Sequence, residues 1–214
     1  MRTIKVRGSA NVKAKPDYVD ILIKLETKDL DYENGMLKAS QRVEELKGAL
    51  DFAHLNSQDL KTTGFNVETD WDWENVGVGG RRCKFSGYEI TQNLKFGMAF
   101  DQSKLTKILS AIVNSGADPE FRVQFSVHDP TAVKEELFAK ASENARKIAE
   151  GLCRGMGKKL GEIIRIDYSW QELDIYHEID WRFNGCVGSA NAVPDINPED
   201  INVSDSVTYV WELI

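Results

Sequence analysis

Hydrophobic and polar residues alternate strictly over residues 2–14. Ile4, Val6, Ala10, Val12 and Ala14 fall on one side, and Lys5, Arg7, Ser9, Asn11 and Lys13 on the other. A period of two is that of a half-buried strand. Lys15-Pro16-Asp17 reads as a turn, since proline presets φ and aspartate tolerates turn geometry. Val19, Ile21, Ile23 and Leu25 then alternate in a second strand, and the two strands are expected to pair as a hairpin. The period changes over 31–53. Tyr32, Met36, Ala39, Val43, Leu46, Leu50 and Ala53 recur every three or four residues, the stripe of an amphipathic helix with Asp31 as its N-cap. Gly35 within it costs about 1 kcal/mol relative to alanine.

Residues 59–71 and 84–100 alternate again, through Phe65, Val67, Thr69 and Trp71, then Tyr88, Ile90, Leu94, Phe96, Met98 and Phe100. They predict a long β-hairpin, and the glycine-rich stretch 74–80 between them predicts a mobile tip. Asp101 caps a short helix that Asn114-Ser115-Gly116 stops. Phe121, Val123, Phe125 and Val127 mark a strand. Asp129-Pro130 opens the longest helix, with proline at its first position and Val133, Leu137, Ala141, Ala145, Ile148 and Leu152 as its buried stripe. A strand is expected over 162–170, and a last one over 201–213. Residues 171–200 lack periodicity and read as a long irregular, partly mobile excursion.

The order is ββαββαβαβ, a long loop, then β. It predicts an α+β fold: largely antiparallel sheet with long hairpins and helices packed on one face. A recurring hairpin-plus-helix unit leaves two similar lobes as one arrangement, within a single domain over 1–214.

Charge narrows the functional classes. Among 214 residues, 34 are acidic and 27 basic, a formal net charge of −7. That balance argues against non-specific nucleic-acid binding, and Arg81-Arg82 and Lys158-Lys159 are short for a basic patch. No run approaches the about 18 apolar residues of a membrane span. The opening strand leaves no room for a secretory signal, and Cys83, Cys153 and Cys186 are odd in number and widely spaced. Together these predict a cytoplasmic protein with reduced thiols.

Candidate chemistry is sparse. His54, His128 and His177 lie far apart, whereas zinc needs three or four converging ligands. Asp174, His177 and Glu178 would converge only on a helix; otherwise they belong to a solvated acidic loop. Cys153 reads as a buried structural thiol, and Cys186, between glycines, has no neighbouring cation to lower its pKa. Gly77-Val78-Gly79-Gly80 lacks the lysine, Ser/Thr and helix of a phosphate loop. The expectation is no cofactor, no metal and no catalytic residue. Aromatic residues say more. Trp170 and Trp211 fit core packing. Trp71 and Trp73 at the hairpin tip, with Arg81, Arg82 and Trp181, are the candidate partner contacts, the alternative being that a tryptophan folds back on its own sheet.

A family resemblance rests on several motifs in order. Ile4-Lys5-Val6-Arg7-Gly8-Ser9-Ala10 is followed by Lys15-Pro16-Asp17, then by Leu60-Lys61-Thr62-Thr63-Gly64-Phe65-Asn66-Val67 and a Gly87-Tyr88 strand ending in Phe100-Asp101. Gly116-Ala117, Val123-Gln124-Phe125, the helix Ala139 to Ala149, Gly157-Lys158-Lys159-Leu160-Gly161 and Val203-Ser204-Asp205-Ser206-Val207-Thr208 complete it. The chain resembles SIMPL-domain proteins over nearly its whole length. The resemblance implies a fold and no agreed enzymatic activity. Bacterial members are often exported, some form ring-like homo-oligomers, some are linked to oxidative stress, and a eukaryotic member has a signalling association. The matching positions are glycines, turns and apolar faces, so no catalytic residue carries over. A homo-oligomeric structural or interaction protein is the leading expectation. A small-ligand or peptide-binding module is the alternative, and an enzyme ranks last.

Overall fold

The computed structural model describes residues 2–76, 80–168, 176–179 and 196–214, with the backbone alone at 74–76, 80–82 and 176–179. Its elements are β1 (Thr3–Ala14), β2 (Tyr18–Asp29), α1 (Tyr32–Phe52), β3 (Leu60–Val76), β4 (Gly80–Ala99), α2 (Gln102–Val113), β5 (Glu120–Ser126), α3 (Thr131–Gly155), β6 (Leu160–Asp167), β7 (Tyr176–Ile179) and β8 (Ile201–Leu213). They form two antiparallel sheets and three helices, an α+β fold. The chain divides into two compact units, one of Met1–Asp17, Ser126–His177 and Pro198–Ile214, the other of Tyr18–Phe125 and Glu178–Asn197. Among the described residues no helix is long and apolar enough to cross a membrane.

The first unit holds a three-stranded sheet in the order β1-β8-β6. β1 and β8 pair without interruption from Thr3↔Glu212 to Ala14↔Ile201. Alternation puts Val6, Val207, Tyr209 and Trp211 under α3, where they meet Ala141, Ala145 and Ala149; Leu137 meets Val12, Ala14, Ile201 and Val203. The helix stripe differs from the expected one. Leu137, Ala141, Ala145, Ala149 and Cys153 are buried, while Ile148 and Leu152 are 41% and 50% exposed. Small residues face the sheet because the approach is close. A Cβ on Gly8 would stand 2.1 Å from the Ala141 carbonyl oxygen. The two larger side chains are therefore turned outward. Pro130 precedes the first helical residue rather than occupying it, and Asp129 Oδ1 accepts the Thr131 N–H at 3.0 Å.

The second unit holds a five-stranded sheet in the order β3-β4-β2-β5-β7. Val19, Ile21, Ile23 and Leu25 of β2 join Leu94 and Phe96 of β4 and Phe121, Val123 and Phe125 of β5 in one core. Leu46 and Leu50 of α1 and Leu105, Ile108, Leu109 and Ile112 of α2 complete it. Both helices begin where expected. Asp31 accepts the Asn34 N–H at 2.9 Å, and Asp101 the Lys104 N–H at 2.8 Å. Arg42 of α1 binds the unit together. Its guanidinium donates to the carbonyls of Ala117 at 2.6 and 2.8 Å and Asp118 at 2.9 Å, and also to the Glu26 carbonyl.

Further sequence expectations change. β1 and β2 do not form a hairpin: β1 pairs with β8 and β2 with β4, and the chain passes from one unit to the other between Asp17 and Tyr18. The Pro16 turn permits a hairpin but does not compel one, and β8 offers β1 a full-length partner. The β3–β4 strands extend through most of the glycine-rich stretch, to Val76↔Gly80, and only 77–79 lie outside the described residues. The segment 171–200 is not wholly irregular. It contributes β7 to the sheet, and Ile196 packs on the second unit's core; 171–175 and 180–195 lie outside the described residues. The two units are not matched in size, one carrying a single helix on three strands and the other two helices on five.

Candidate interaction surface

Toward its base, the β3–β4 hairpin is covered on one face by α1. Ile90 is fully buried there, and a Cβ on Gly35 would lie 2.8 Å from Ile90 Cδ1. Gly35 thus admits the sheet's side chain, which offsets its low helix propensity. α1 starts at Tyr32, and the same sheet face continues past it. Thr69, Trp71 and Trp73 of β3 stand there opposite Tyr88, Phe85 and Cys83 of β4. Trp71 and Trp73 are 52% and 68% exposed.

The aromatic rings meet edge to face in a chain. Tyr32 and Tyr88 lie 5.6 Å apart between centroids, Tyr88 and Phe85 5.3 Å, and Phe85 and Trp71 5.6 Å. These offset geometries suit the ring quadrupoles. Trp71 Nε1 donates to Thr69 Oγ1 at 3.1 Å, so the indole satisfies its polar atom within the strand. Phe65, further along β3, is also half-exposed. The result is an apolar strip continuous with the core but without a helix on it.

The other face of β3 is acidic. Glu68, Asp70 and Asp72 alternate with the aromatic positions. Lys28 of β2 bridges Glu89 at 2.8 Å and Asp70 at 3.2 Å, and these two acids raise its pKa above the ordinary lysine value. Asp72 accepts from Ser86 Oγ at 2.8 Å, and Glu68 from Asn66 Nδ2 at 2.7 Å.

Of the residues singled out from sequence, Trp71 and Trp73 share this strip. Arg81 and Arg82 lie on β4 opposite Asn75 and Glu74, with side chains outside the described ones. Trp181, Trp170 and Cys186 lie outside the described residues altogether. Sequence reading missed Phe85 and Tyr88 as companions of Trp71. Three positions apart, they fall on opposite faces of a regular strand. The register shift that sets Asp70 opposite Gly87 but Trp71 opposite Phe85 leaves Ser86 over, and this bulge brings both rings to one side.

A second feature is a groove of about 640 Å³ between α1 and α2. Ala49, Ala53 and Ala111 line it, with Phe52 at its lip and Glu45 and Lys107 on opposite helices. Phe52 is 89% exposed. Elsewhere the candidate chemistry does not assemble. His177 and Glu178 belong to an extended strand and not to a helix, so the helical spacing that the metal arrangement required is not present; Asp174 lies outside the described residues. No group of three or more metal-ligating side chains gathers among the described residues. His54 is exposed, Cys83 is an exposed thiol and Cys153 is buried.

The arrangement is thus an α+β protein of two sheet-and-helix units whose distinctive described features are surfaces. Residues 4–211 match the SIMPL family, described as a protein of unknown function (DUF541), and the chain belongs to that family. The match takes in both units, in line with the motifs at Ile4–Ala10 and Leu60–Val67. No curated protein matches the sequence.

Proposed function

We propose that this chain is a self-associating structural or interaction protein that acts through its surfaces and not through catalysis. The observation that supports this reading is the uncovered aromatic strip. Two exposed tryptophans project from a hairpin face that elsewhere forms core. Aromatic side chains in such positions are the usual anchors of protein interfaces. Light scattering after size-exclusion chromatography should find a dimer or larger species at micromolar concentration. Replacing Trp71 and Trp73 together by alanine should weaken it by about 2 kcal/mol. A monomer mass throughout a hundredfold dilution series refutes self-association. The groove between α1 and α2 favours a second reading, a module for a small apolar ligand or peptide, which a monomer would move to first place.

A further inference from the structure

Sheet edges present unpaired backbone groups, and proteins blunt them with bulges, short strands or charge. This fold has four. β6 carries two register shifts against β8, and β7 has four residues. The remaining two, β1 and β3, are long. β3 runs without a bulge of its own from Gly64 to Val76 and contains no proline or lysine over that length. β1 pairs regularly with β8 over its full length.

The two long edges carry opposite charge at the same period. β3 bears Glu68, Asp70 and Asp72 on one face and Trp71 and Trp73 on the other; Lys28 reaches Asp70 at 3.2 Å and Lys84 stands opposite Asp72, so the acids outnumber the bases on that face without being bare. β1 bears Lys5 and Arg7 on one face and Ile4 and Val6 on the other. Arg7 donates to a neutral partner, Ser206 Oγ, at 2.7 and 2.9 Å. Neither Arg7 nor Lys5 has an ion pair with another described residue. The Arg2 carbonyl faces β8, so by alternation the outward backbone groups of β1 belong to Thr3, Lys5, Arg7 and Ser9. Asn144 of α3 takes the Ser9 N–H at 3.3 Å, which confines the open edge to Thr3–Arg7.

Like charge opposes pairing of β1 with β1 or of β3 with β3, and leaves the unlike pairing open. Building on the self-association reading, we propose that the β1 edge of one copy adds, antiparallel, to the β3 edge of a second copy. The alignment that sets Lys5 opposite Asp72 of the second copy sets Arg7 opposite its Asp70. It also places Ile4 and Val6 opposite that copy's Trp73 and Trp71, which extends the apolar side across the junction. The contact is heterologous, so each copy keeps a β1 or a β3 edge for the next.

Two charge-reversed chains test this: Lys5→Glu with Arg7→Glu, and Asp70→Lys with Asp72→Lys. Thermal melting checks that each is folded, and sedimentation velocity reads association at low salt. Each variant alone should associate at least about tenfold more weakly than the unaltered chain, and an equimolar mixture should recover association, because the reversed edges match across the two chains. Independently of the variants, association of the unaltered chain should weaken between 50 and 500 mM salt, about the range over which screening becomes strong. Unaltered assembly in both variants, no recovery on mixing, or association that strengthens with salt overturns the pairing and leaves self-association standing. A monomeric unaltered chain sinks the self-association reading itself.

Discussion

Replacing Gly8 by alanine should open the first unit. A Cβ there would lie 2.1 Å from the Ala141 carbonyl oxygen, 2.6 Å from Ala145 Cβ and 2.7 Å from the Ala145 nitrogen. Two of these three atoms are backbone, so no rotamer change relieves them. An ordinary carbon–oxygen contact is about 3.2 Å, so α3 must retreat by about 1 Å over its middle turns. The retreat separates Ala141, Ala145 and Ala149 from Val6, Val207, Tyr209 and Trp211, the small-residue contact on which this unit's core rests. A gap of that size forfeits a quarter to a half of each dispersion contact it crosses. Overpacking of this kind costs about 3 kcal/mol when the obstacle is backbone.

Urea denaturation measures the loss, and amide exchange locates it. Amides of α3 and β8 should exchange faster, while those of α1 and β2 keep their protection. Removing Ala145 Cβ by a second change to glycine should restore little, because the nearest obstacle is the Ala141 oxygen. Gly48→Ala is the control. This exposed helical position has nothing within 4 Å of an added Cβ, and the change should stabilise by about 0.5–1 kcal/mol. A Gly8→Ala chain within about 0.5 kcal/mol of the unaltered one would refute the close approach of α3 to β1.

Arg42→Lys keeps the charge but loses the planar fork to the Ala117, Asp118 and Glu26 carbonyls, and should cost about 2 kcal/mol by urea denaturation. The Asp29 carboxyl is held below its usual range by the Lys38 ammonium at 2.6 Å and by the Asp31 N–H at 2.9 Å. Its folded pKa being depressed, its stabilisation is present at neutral pH and lost as pH falls through the folded value. Asp29→Asn should therefore destabilise at pH 7, with the difference vanishing toward pH 2 in a stability–pH series. A thiol reagent should label Cys83 rapidly in the native protein and Cys153 only on unfolding, as mass spectrometry of the labelled peptides would show. Three reactive thiols in denatured protein, matching the three cysteines of the chain, would support the reduced state expected from their odd number and wide spacing.

Strands and helices were legible where one face is buried and the other wet. The last strand, the Asp31 and Asp101 caps and the β3–β4 pairing follow directly from alternation and turn chemistry. Partner choice over long separations did not. Nothing local in residues 2–14 says that β1 pairs with β8 and not with β2, because the same apolar face satisfies either sheet. Helix rotation was also hidden. Ile148 and Leu152 fit the 3.6-residue period as well as Ala149 and Cys153, and only the distance of α3 from Gly8 decides in favour of the small side chains. Of the site, the tryptophans were visible by their position at a hairpin end. Their aromatic companions were not, since a bulge at Ser86 has no mark in the alternation pattern.

The same physics separates what specifies the scaffold from what its surface offers to a partner. Gly8 lies in the opening motif and is the point where α3 meets β1. Gly87, of the Gly87-Tyr88 motif within β4, has φ +135°, and a Cβ there would stand 2.6 Å from the Asp29 carbonyl oxygen. Both positions are demanded by backbone packing, and neither offers a group that binds or reacts. Motifs built on such positions specify a scaffold of two sheets without specifying chemistry. The groups that the proposed edge pairing uses stand on that scaffold's long edges, in the alternation of acid with tryptophan on β3 and of base with aliphatic on β1. An edge strand shows one face to a layer of helices and its backbone to whatever adds to the sheet. On the self-association proposed above, these edges are what a second copy would meet, and mutagenesis directed at β1 and β3 tests that pairing directly.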